Sequence, residues 1–214
     1  MVATSDISAD SARGGEVRLR ILALARETFF RHGFRSVTMD ELAERMGMSK
    51  KTLYVHFRGK RELLDAVIDR KFGELERRLA DEAEQAGEFG ARLAAFLESV
   101  AVAVGELTPA FVRDVAKSGP DLRERLLARR QAVLGGALER LLAAGRRAGR
   151  VRTDLPQELL VEILLGTLNT VAVPETVIRR GISPMDMLTG ILRVFLHGVL
   201  VSPESAPNST VPRP

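Results

Sequence analysis

The sequence predicts an all-α fold of about nine helices. Three observations point to this fold class. Apolar residues recur three and four positions apart along most of the chain, Thr-Pro and Ser-Pro pairs stand where helices would begin, and glycines stand where helices would end. The sequence has no sustained alternation of apolar and polar residues, which half-buried strands would require.

The N-terminal quarter predicts an arm followed by three helices. Residues 1–15 are rich in Ser, Ala and Asp without helical periodicity, and we expect a mobile N-terminal arm there. Residues 16–60 form the first predicted domain. Its first helix carries apolar residues four positions apart, at Val17, Ile21, Ala25 and Phe29.

Two short helices follow, joined by a tight turn. Thr38 and Glu41 have the spacing of a capping box, so a second helix begins at about Met39. Gly47 ends it, because glycine adopts the left-handed conformation without a steric penalty. Ser49 is a predicted N-cap for a third helix, Lys50 to His56. This arrangement is typical of a helix-turn-helix, which places its second helix in the DNA major groove.

Residues 61–201 predict a second, helical domain of six helices. Prolines and glycines mark their ends. The predicted spans are 60–85, 91–105, a short helix opened by Pro109, Pro120 to about Ala148, Pro156 to about Arg180 with a kink at Pro174, and Pro184 to about Val201. Residues 202–214 have no apolar pattern, and we expect a disordered tail.

Composition places the chain among globular proteins and excludes several classes of site. Of 214 residues, 45% are hydrophobic and 28% charged, which suits a folded domain. Because cysteine is absent, disulfides and thiolate chemistry are excluded. The N-terminus lacks an apolar leader and the apolar runs are shorter than a membrane span, so we expect a cytoplasmic protein without membrane contact.

The sequence does not favour an enzyme. The three histidines, His32, His56 and His197, lack the spacing of metal ligands, and Gly59-Lys60 lacks the other residues of a phosphate-binding loop. Acidic pairs stand where helix caps and solvated faces explain them. We therefore expect no catalytic residues, no metal and no cofactor.

Positive charge is concentrated in the N-terminal part. Residues 1–60 contain 11 Lys and Arg against 7 Asp and Glu, a net charge equal to the +4 of the whole chain. From Ser49 to Arg61 there are five basic residues and no acid. Such clustering is typical of a surface that neutralises DNA phosphates, although a solvated basic face has the same pattern.

The same segment carries a family resemblance. The chain resembles the N-terminal domain of TetR-like transcriptional regulators over about residues 16–68. The matching residues are Ala25, Phe29, Gly33, Phe34, Thr38, Leu42, Ala43, Gly47, Ser49, Leu53, Tyr54, Phe57, Lys60 and Leu63. The resemblance implies a sequence-specific regulator, most simply a repressor that a small-molecule inducer releases from a palindromic operator in double-stranded DNA. The alternative is a helical ligand-binding or scaffold protein without specific operator binding.

The resemblance also assigns DNA contacts. It implies phosphate contacts at Thr38, Ser49, Lys50, Tyr54, His56 and Lys60, and base contacts at Lys51 and Thr52. Lys51 departs from the glycine common in relatives, and its ammonium can donate either to a guanine edge or to a phosphate. For three of the phosphate positions a purely structural role is open, namely a helix cap at Ser49, a packed ring at Tyr54 and a surface imidazole at His56.

The C-terminal helices are expected to hold an inducer pocket. Its candidate residues are Phe72, Phe96, Phe111, Val115 and Asn169. Apolar residues at helical spacing, such as the first four candidates, more often belong to an ordinary core. Asn169 is a polar residue in an apolar helix, so it needs a partner in a ligand, a facing helix or a second subunit.

The last two predicted helices also suggest a homodimer. Both are apolar on more than one face, and Gly166 and Gly190 would allow a partner helix to approach closely. The candidate interface residues are Leu160, Leu164, Leu168, Ile191, Phe195 and Val199. The alternative is a monomer that buries these helices in its own core.

Overall fold

The structure, a computed structural model, confirms the all-α fold. It describes residues 4–84 and 87–200, and over this range the only β pairing is an isolated bridge between Val151 and Leu200. The described residues form ten helices instead of about nine. They are α1 (Thr4–His32), α2 (Met39–Arg45), α3 (Lys50–His56), α4 (Lys60–Glu84), α5 (Phe89–Gly105), α6 (Pro109–Ala116), α7 (Pro120–Arg147), α8 (Gln157–Thr170), α9 (Pro174–Arg180) and α10 (Pro184–Val199).

The first helix is longer than predicted. α1 begins at Thr4, so residues 4–15, where the sequence has no helical periodicity and a mobile arm was predicted, belong to this helix. This segment contains no proline, and extending an existing helix does not require a second costly nucleus. Residues 1–3 of the expected arm and the expected tail, 202–214, lie outside the described residues.

The α2–α3 unit forms as the caps predict. The Thr38 hydroxyl accepts a hydrogen bond from the Glu41 backbone N–H at 3.1 Å, and the Glu41 carboxylate accepts one from the Thr38 N–H at 2.8 Å. Gly47 has a φ of +63°, which allows the chain to turn after α2. These local bonds set the angle between the two short helices.

A first hydrophobic core lies among α1, α2, α3 and the start of α4. Its central residues are fully buried, among them Ile21, Ala25, Phe29, Leu42, Leu53, Phe57 and Leu63. Phe111 and Val115 of α6 and Leu122 of α7 belong to the same core. The predicted domain boundary between residues 60 and 61 therefore does not coincide with a break in packing.

A second core lies among the end of α4, α5, α7, α8 and α10. The kink predicted at Pro174 is a complete break, because α8 and α9 are separate helices that are bent by 62° relative to each other. Pro174 is the cause, since it lacks a backbone N–H and its ring clashes with the preceding turn, so it starts a new helix.

The apolar helices of the described chain are short for a membrane span. None of the described helices is, by itself, both long enough and apolar enough to cross a bilayer. Two bent pairs, α5 with α6 and α8 with α9, reach the required length and composition only when their members are combined.

Candidate nucleic-acid interface and ligand cavity

The outer face of α3 is exposed and basic. Leu53 and Phe57 are fully buried and anchor the helix to the first core. Because α3 is fixed on that side, Lys50, Lys51 and Thr52 lie on the solvent side. Tyr54 is 47% exposed, so its ring is not a core residue.

The start of α3 is capped by a side chain predicted to contact DNA. The Ser49 hydroxyl accepts a hydrogen bond from the Thr52 backbone N–H at 3.0 Å and lies 2.8 Å from the Thr52 hydroxyl. Ser49 is therefore an N-cap, and its residue is still exposed. The Lys50 ammonium pairs with the Asp40 carboxylate in solvent, so a phosphate at Lys50 would compete with this ion pair.

Lys60 is placed next to Thr38. Its ammonium donates to the backbone carbonyls of Arg35 at 2.9 Å and Val37 at 2.8 Å. An ammonium has three donors, so one donor is not used by these two bonds. Since Val37 directly precedes Thr38, the fold brings the two helix starts predicted to bind phosphate to one edge of the α3 surface.

Two residues of this surface were not identified from the sequence. Arg18 of α1 donates to the His56 carbonyl at 2.7 Å, and its guanidinium lies 4.1 Å from the centre of the Phe57 ring, so it holds the end of α3. No sequence pattern indicates this contact between residues 38 positions apart. Val55 is the second, an apolar side chain that is 76% exposed on α3. His56 itself is half-buried.

A cavity of about 530 Å³ lies among α4, α5, α6, α7 and the start of α9. Of the predicted pocket residues, Phe72, Phe111 and Val115 line it. Phe96 does not, because its side of α5 faces the second core, where it borders a space of only about 20 Å³. Asn169 does not line it either, and its carbonyl oxygen instead accepts hydrogen bonds from Arg130 on the cavity wall.

Charged groups interrupt the apolar wall at a few places. The Lys71 ammonium is largely buried and donates to the Glu106 carboxylate at 2.9 Å. Burial lowers the pKa of Lys71, and the bond to Glu106 only partly offsets this effect. Arg123 pairs with Glu175 at 2.7 Å at the edge of the cavity. Both of these cations therefore have a carboxylate partner.

The predicted dimer residues are mostly buried within the protomer. Four of them are 2–5% exposed, so they are wrong as interface candidates, namely Leu160, Leu164, Leu168 and Val199. Ile191 and Phe195 are half-buried against the second core. The reason is that α8 and α10 use this face to pack on α7, α5 and each other. The exposed face instead carries Leu159, Ile163 and Gly166 of α8 and Val194 of α10.

Comparison with known proteins identifies the N-terminal unit. Residues 21–67 match the family model for bacterial regulatory proteins of the tetR family. The chain carries a TetR-family domain. The chain is 46% identical to the HTH-type transcriptional activator FasR of Mycolicibacterium smegmatis over 55 residues. This aligned segment covers 26% of this chain and 25% of FasR. Over 58 residues it is 38% identical to the regulator SrpR of Pseudomonas putida, 27% of each chain. The match thus spans about a quarter of these TetR-like relatives.

Alignments that cover most of the chain have a lower sequence identity. The regulator YvaF of Bacillus subtilis is 26% identical over 187 residues, which cover 87% of this chain and 97% of that protein. A transcriptional regulator of Cytophaga hutchinsonii has a TM-score of 0.66 at 19% identity, covering 87% of this chain and 100% of that chain. The complex of SmeT with triclosan has a TM-score of 0.62 at 18% identity, and the alignment covers 92% of this chain and 97% of SmeT. The two structures show that the shared fold extends through the C-terminal helices.

Proposed function

We propose that the protein is a sequence-specific DNA-binding transcriptional regulator and not an enzyme. The observation that carries this proposal is the surface of α3, a capped helix anchored by Leu53 and Phe57, whose exposed face carries the basic residues Lys50 and Lys51. An exposed helix with this charge and these donors suits the major groove. The TetR-family match over residues 21–67 supports the proposal.

The proposed contacts divide into two kinds. We propose that Thr38 and Lys60, which lie at adjacent helix starts, bind phosphates together with Ser49, Lys50, Tyr54 and His56, and fix the orientation of the domain. We propose that Lys51 and Thr52 reach base edges. Val55 joins the second group, because an exposed apolar side chain on a recognition helix suits contact with a thymine methyl group.

The proposed active species is a homodimer on a palindromic operator. Ile163 and Val194 are 46% and 77% exposed on neighbouring helices that pack against each other. Gly166 and Gly190 leave open space where a Cβ would stand, which permits close approach of a second subunit. Two-fold symmetry would place the two α3 helices on half-sites one or two helical turns apart.

Regulation is proposed to follow occupation of the cavity. A cavity of about 530 Å³ with a mainly apolar wall falls in the size range of small-molecule sites. A ligand that prefers one position of α4 would change the spacing of the two α3 helices and weaken operator binding, which describes a repressor released by an inducer. Access to chromosomal DNA implies a cytoplasmic location.

The first test is selection of binding sites from a pool of random DNA duplexes. The proposal expects enrichment of a palindromic motif, with binding to the selected site about 10³-fold tighter than to scrambled DNA at physiological salt. A folded protein that enriches no motif, but binds small molecules, would instead be the helical ligand-binding or scaffold protein of the alternative.

Variants then separate base contact from phosphate contact. If Lys51 reads a base, Lys51→Ala should relax preference at one position of each half-site by about 1–3 kcal/mol. A uniform loss on all sequences would assign Lys51 to phosphate. The exposed residue Arg147, in the last turn of α7, provides the matched control Arg147→Ala, which should leave both affinity and preference unchanged.

A further inference from the structure

Arg130 of α7 is a partly buried cation on the wall of the apolar cavity. The neighbouring wall residues are mostly aliphatic or aromatic, for example Phe72, Leu75, Val104, Leu127 and Leu134. Burial removes water from the guanidinium and lowers the pKa of Arg130, without any described carboxylate opposing the effect. A guanidinium in such a place has a strong tendency to bind an anion.

The hydrogen bonds of Arg130 do not use all the N–H donors of its guanidinium. Nε and Nη2 donate to the Asn169 side-chain oxygen at 3.2 and 2.7 Å, and Nη1 reaches the Ala172 carbonyl at 3.5 Å. A guanidinium has five N–H donors, so two are not used by these bonds, one on each terminal nitrogen. These two donors form the edge that binds a carboxylate in bidentate fashion. Asn169 and Ala172 are neutral partners and leave the charge uncompensated.

The other cations described on this wall have carboxylate partners. Lys71 pairs with Glu106 and Arg123 pairs with Glu175. Glu124 also borders the cavity but is exposed to solvent, and it forms no ion pair with Arg130. Within the described part of the chain, Arg130 is therefore the cation on this wall that has no carboxylate partner.

We propose that the cavity binds an amphipathic monocarboxylate, with its carboxylate on Arg130 and its apolar body along α4, α5 and α7. The proposal rests on the proposed role of the cavity as the inducer site and adds the chemical class of the ligand. One anionic group would give Arg130 the carboxylate partner that it lacks, and the apolar wall matches an alkyl or aryl body. Asn169 is a positioning residue, since it holds one edge of the guanidinium while the other edge meets the ligand.

The test compares three probes that share a ten-carbon chain, each on the full-length protein: decanoate, decanol and decyltrimethylammonium. Their affinities are measured by displacement of Nile red, a neutral dye, from the cavity. Decanoate should bind at least about tenfold tighter than decanol, since hydrogen bonds to charged groups have this strength. The cation should bind most weakly. Arg130→Met should abolish the preference for decanoate, and Arg130→Lys should retain part of it.

The double variant Arg123→Met/Glu175→Gln is the matched control, because it removes a cation from the same wall together with its carboxylate partner. It should retain the preference of the wild type, and thermal unfolding establishes that each variant is folded. Equal affinity of the wild type for decanoate and decanol would overturn the proposal, as would displacement by none of the probes. So would an unchanged preference in Arg130→Met. Failure of the proposed function would appear differently, as absence of a selected DNA motif with the preference for decanoate intact.

Discussion

Lys71 on the cavity wall donates a hydrogen bond to Glu106 at 2.9 Å, at the end of α5. The same carboxylate accepts hydrogen bonds from Arg26 of α1 at 2.7 and 2.9 Å, and Arg26 also pairs with Glu74 of α4. This network joins the cavity wall to the helix that supports α3. A ligand that displaces Lys71 would therefore change the charges that hold α1.

The network predicts a loss of stability in acid. Partial burial disfavours the charged carboxyl, but hydrogen bonds from Arg26 and Lys71 outweigh this effect and lower the pKa of Glu106 below its ordinary value of 4.5. Because the folded-state pKa is depressed, this stabilisation is present above 4.5 and is lost as pH falls through the lower folded value. Glu106→Gln should lower the free energy of unfolding by about 1–2 kcal/mol near neutral pH. The difference from the wild type should shrink as the pH falls below 4.5 and Glu106 becomes protonated.

Urea unfolding of wild type and Glu106→Gln at several pH values measures the effect. Glu139 is exposed on α7, and Glu139→Gln provides the control, which should match the wild type at every pH. A cost of Glu106→Gln that does not change between neutral and acidic pH would contradict the prediction.

The exposed face of α8 predicts the site of dimerisation. Ile163→Glu should convert the dimer to a monomer, because a charge would be placed in an apolar contact. Ile178 of α9 has the same exposure, 46%, but lies outside this face, so Ile178→Glu should remain dimeric. Sedimentation velocity distinguishes the two. Dissociation by both variants, or by neither, would show that the interface lies elsewhere.

Replacing either of two glycines of α7 by alanine should change the stability of the protein in opposite directions. A Cβ at Gly145 would lie 2.5 Å from Val151 Cγ2 and 2.6 Å from Phe89 Cε2, so Gly145→Ala should destabilise by about 1–3 kcal/mol. At Gly136 the nearest atom is the flexible Arg140 Nη1 at 3.5 Å. Gly136→Ala should therefore stabilise by up to about 1 kcal/mol through helix propensity. Thermal and urea unfolding test both, and equal effects would mean that α7 is not closely packed at Gly145.

Lys60 predicts a change in salt dependence. Lys60→Ala should weaken binding to all DNA sequences and lower the slope of log affinity against log salt by about 0.9 for each phosphate that the protein no longer neutralises. The variant also lacks the hydrogen bonds to the Arg35 and Val37 carbonyls, so urea unfolding must establish that the domain is folded. A weaker affinity with an unchanged slope would assign Lys60 a purely structural role.

The short helices α2 and α3 show which features can be predicted from local sequence. α3 spans Lys50–His56 as predicted, and the capping box of Thr38 and Glu41 forms. Both depend on contacts three residues apart, which the sequence displays directly. The cavity depends on distant contacts. For that reason the sequence pattern did not distinguish Phe72, which lines the cavity, from Phe96, which lies on an apolar helix of similar pattern and faces the second core.

The sequence by itself determined the helices, most of their ends, and the basic recognition helix of a TetR-like domain. Only the tertiary structure decided which face of α8 is buried, with Leu160 inside and Ile163 outside. It also decided that Asn169 meets Arg130, a residue 39 positions away. The physical reason is the sequence separation of the contacts. Helix caps and apolar periodicity depend on residues within one or two turns of each other. The rotation of a helix that is apolar on two faces is instead set by packing against residues far along the chain.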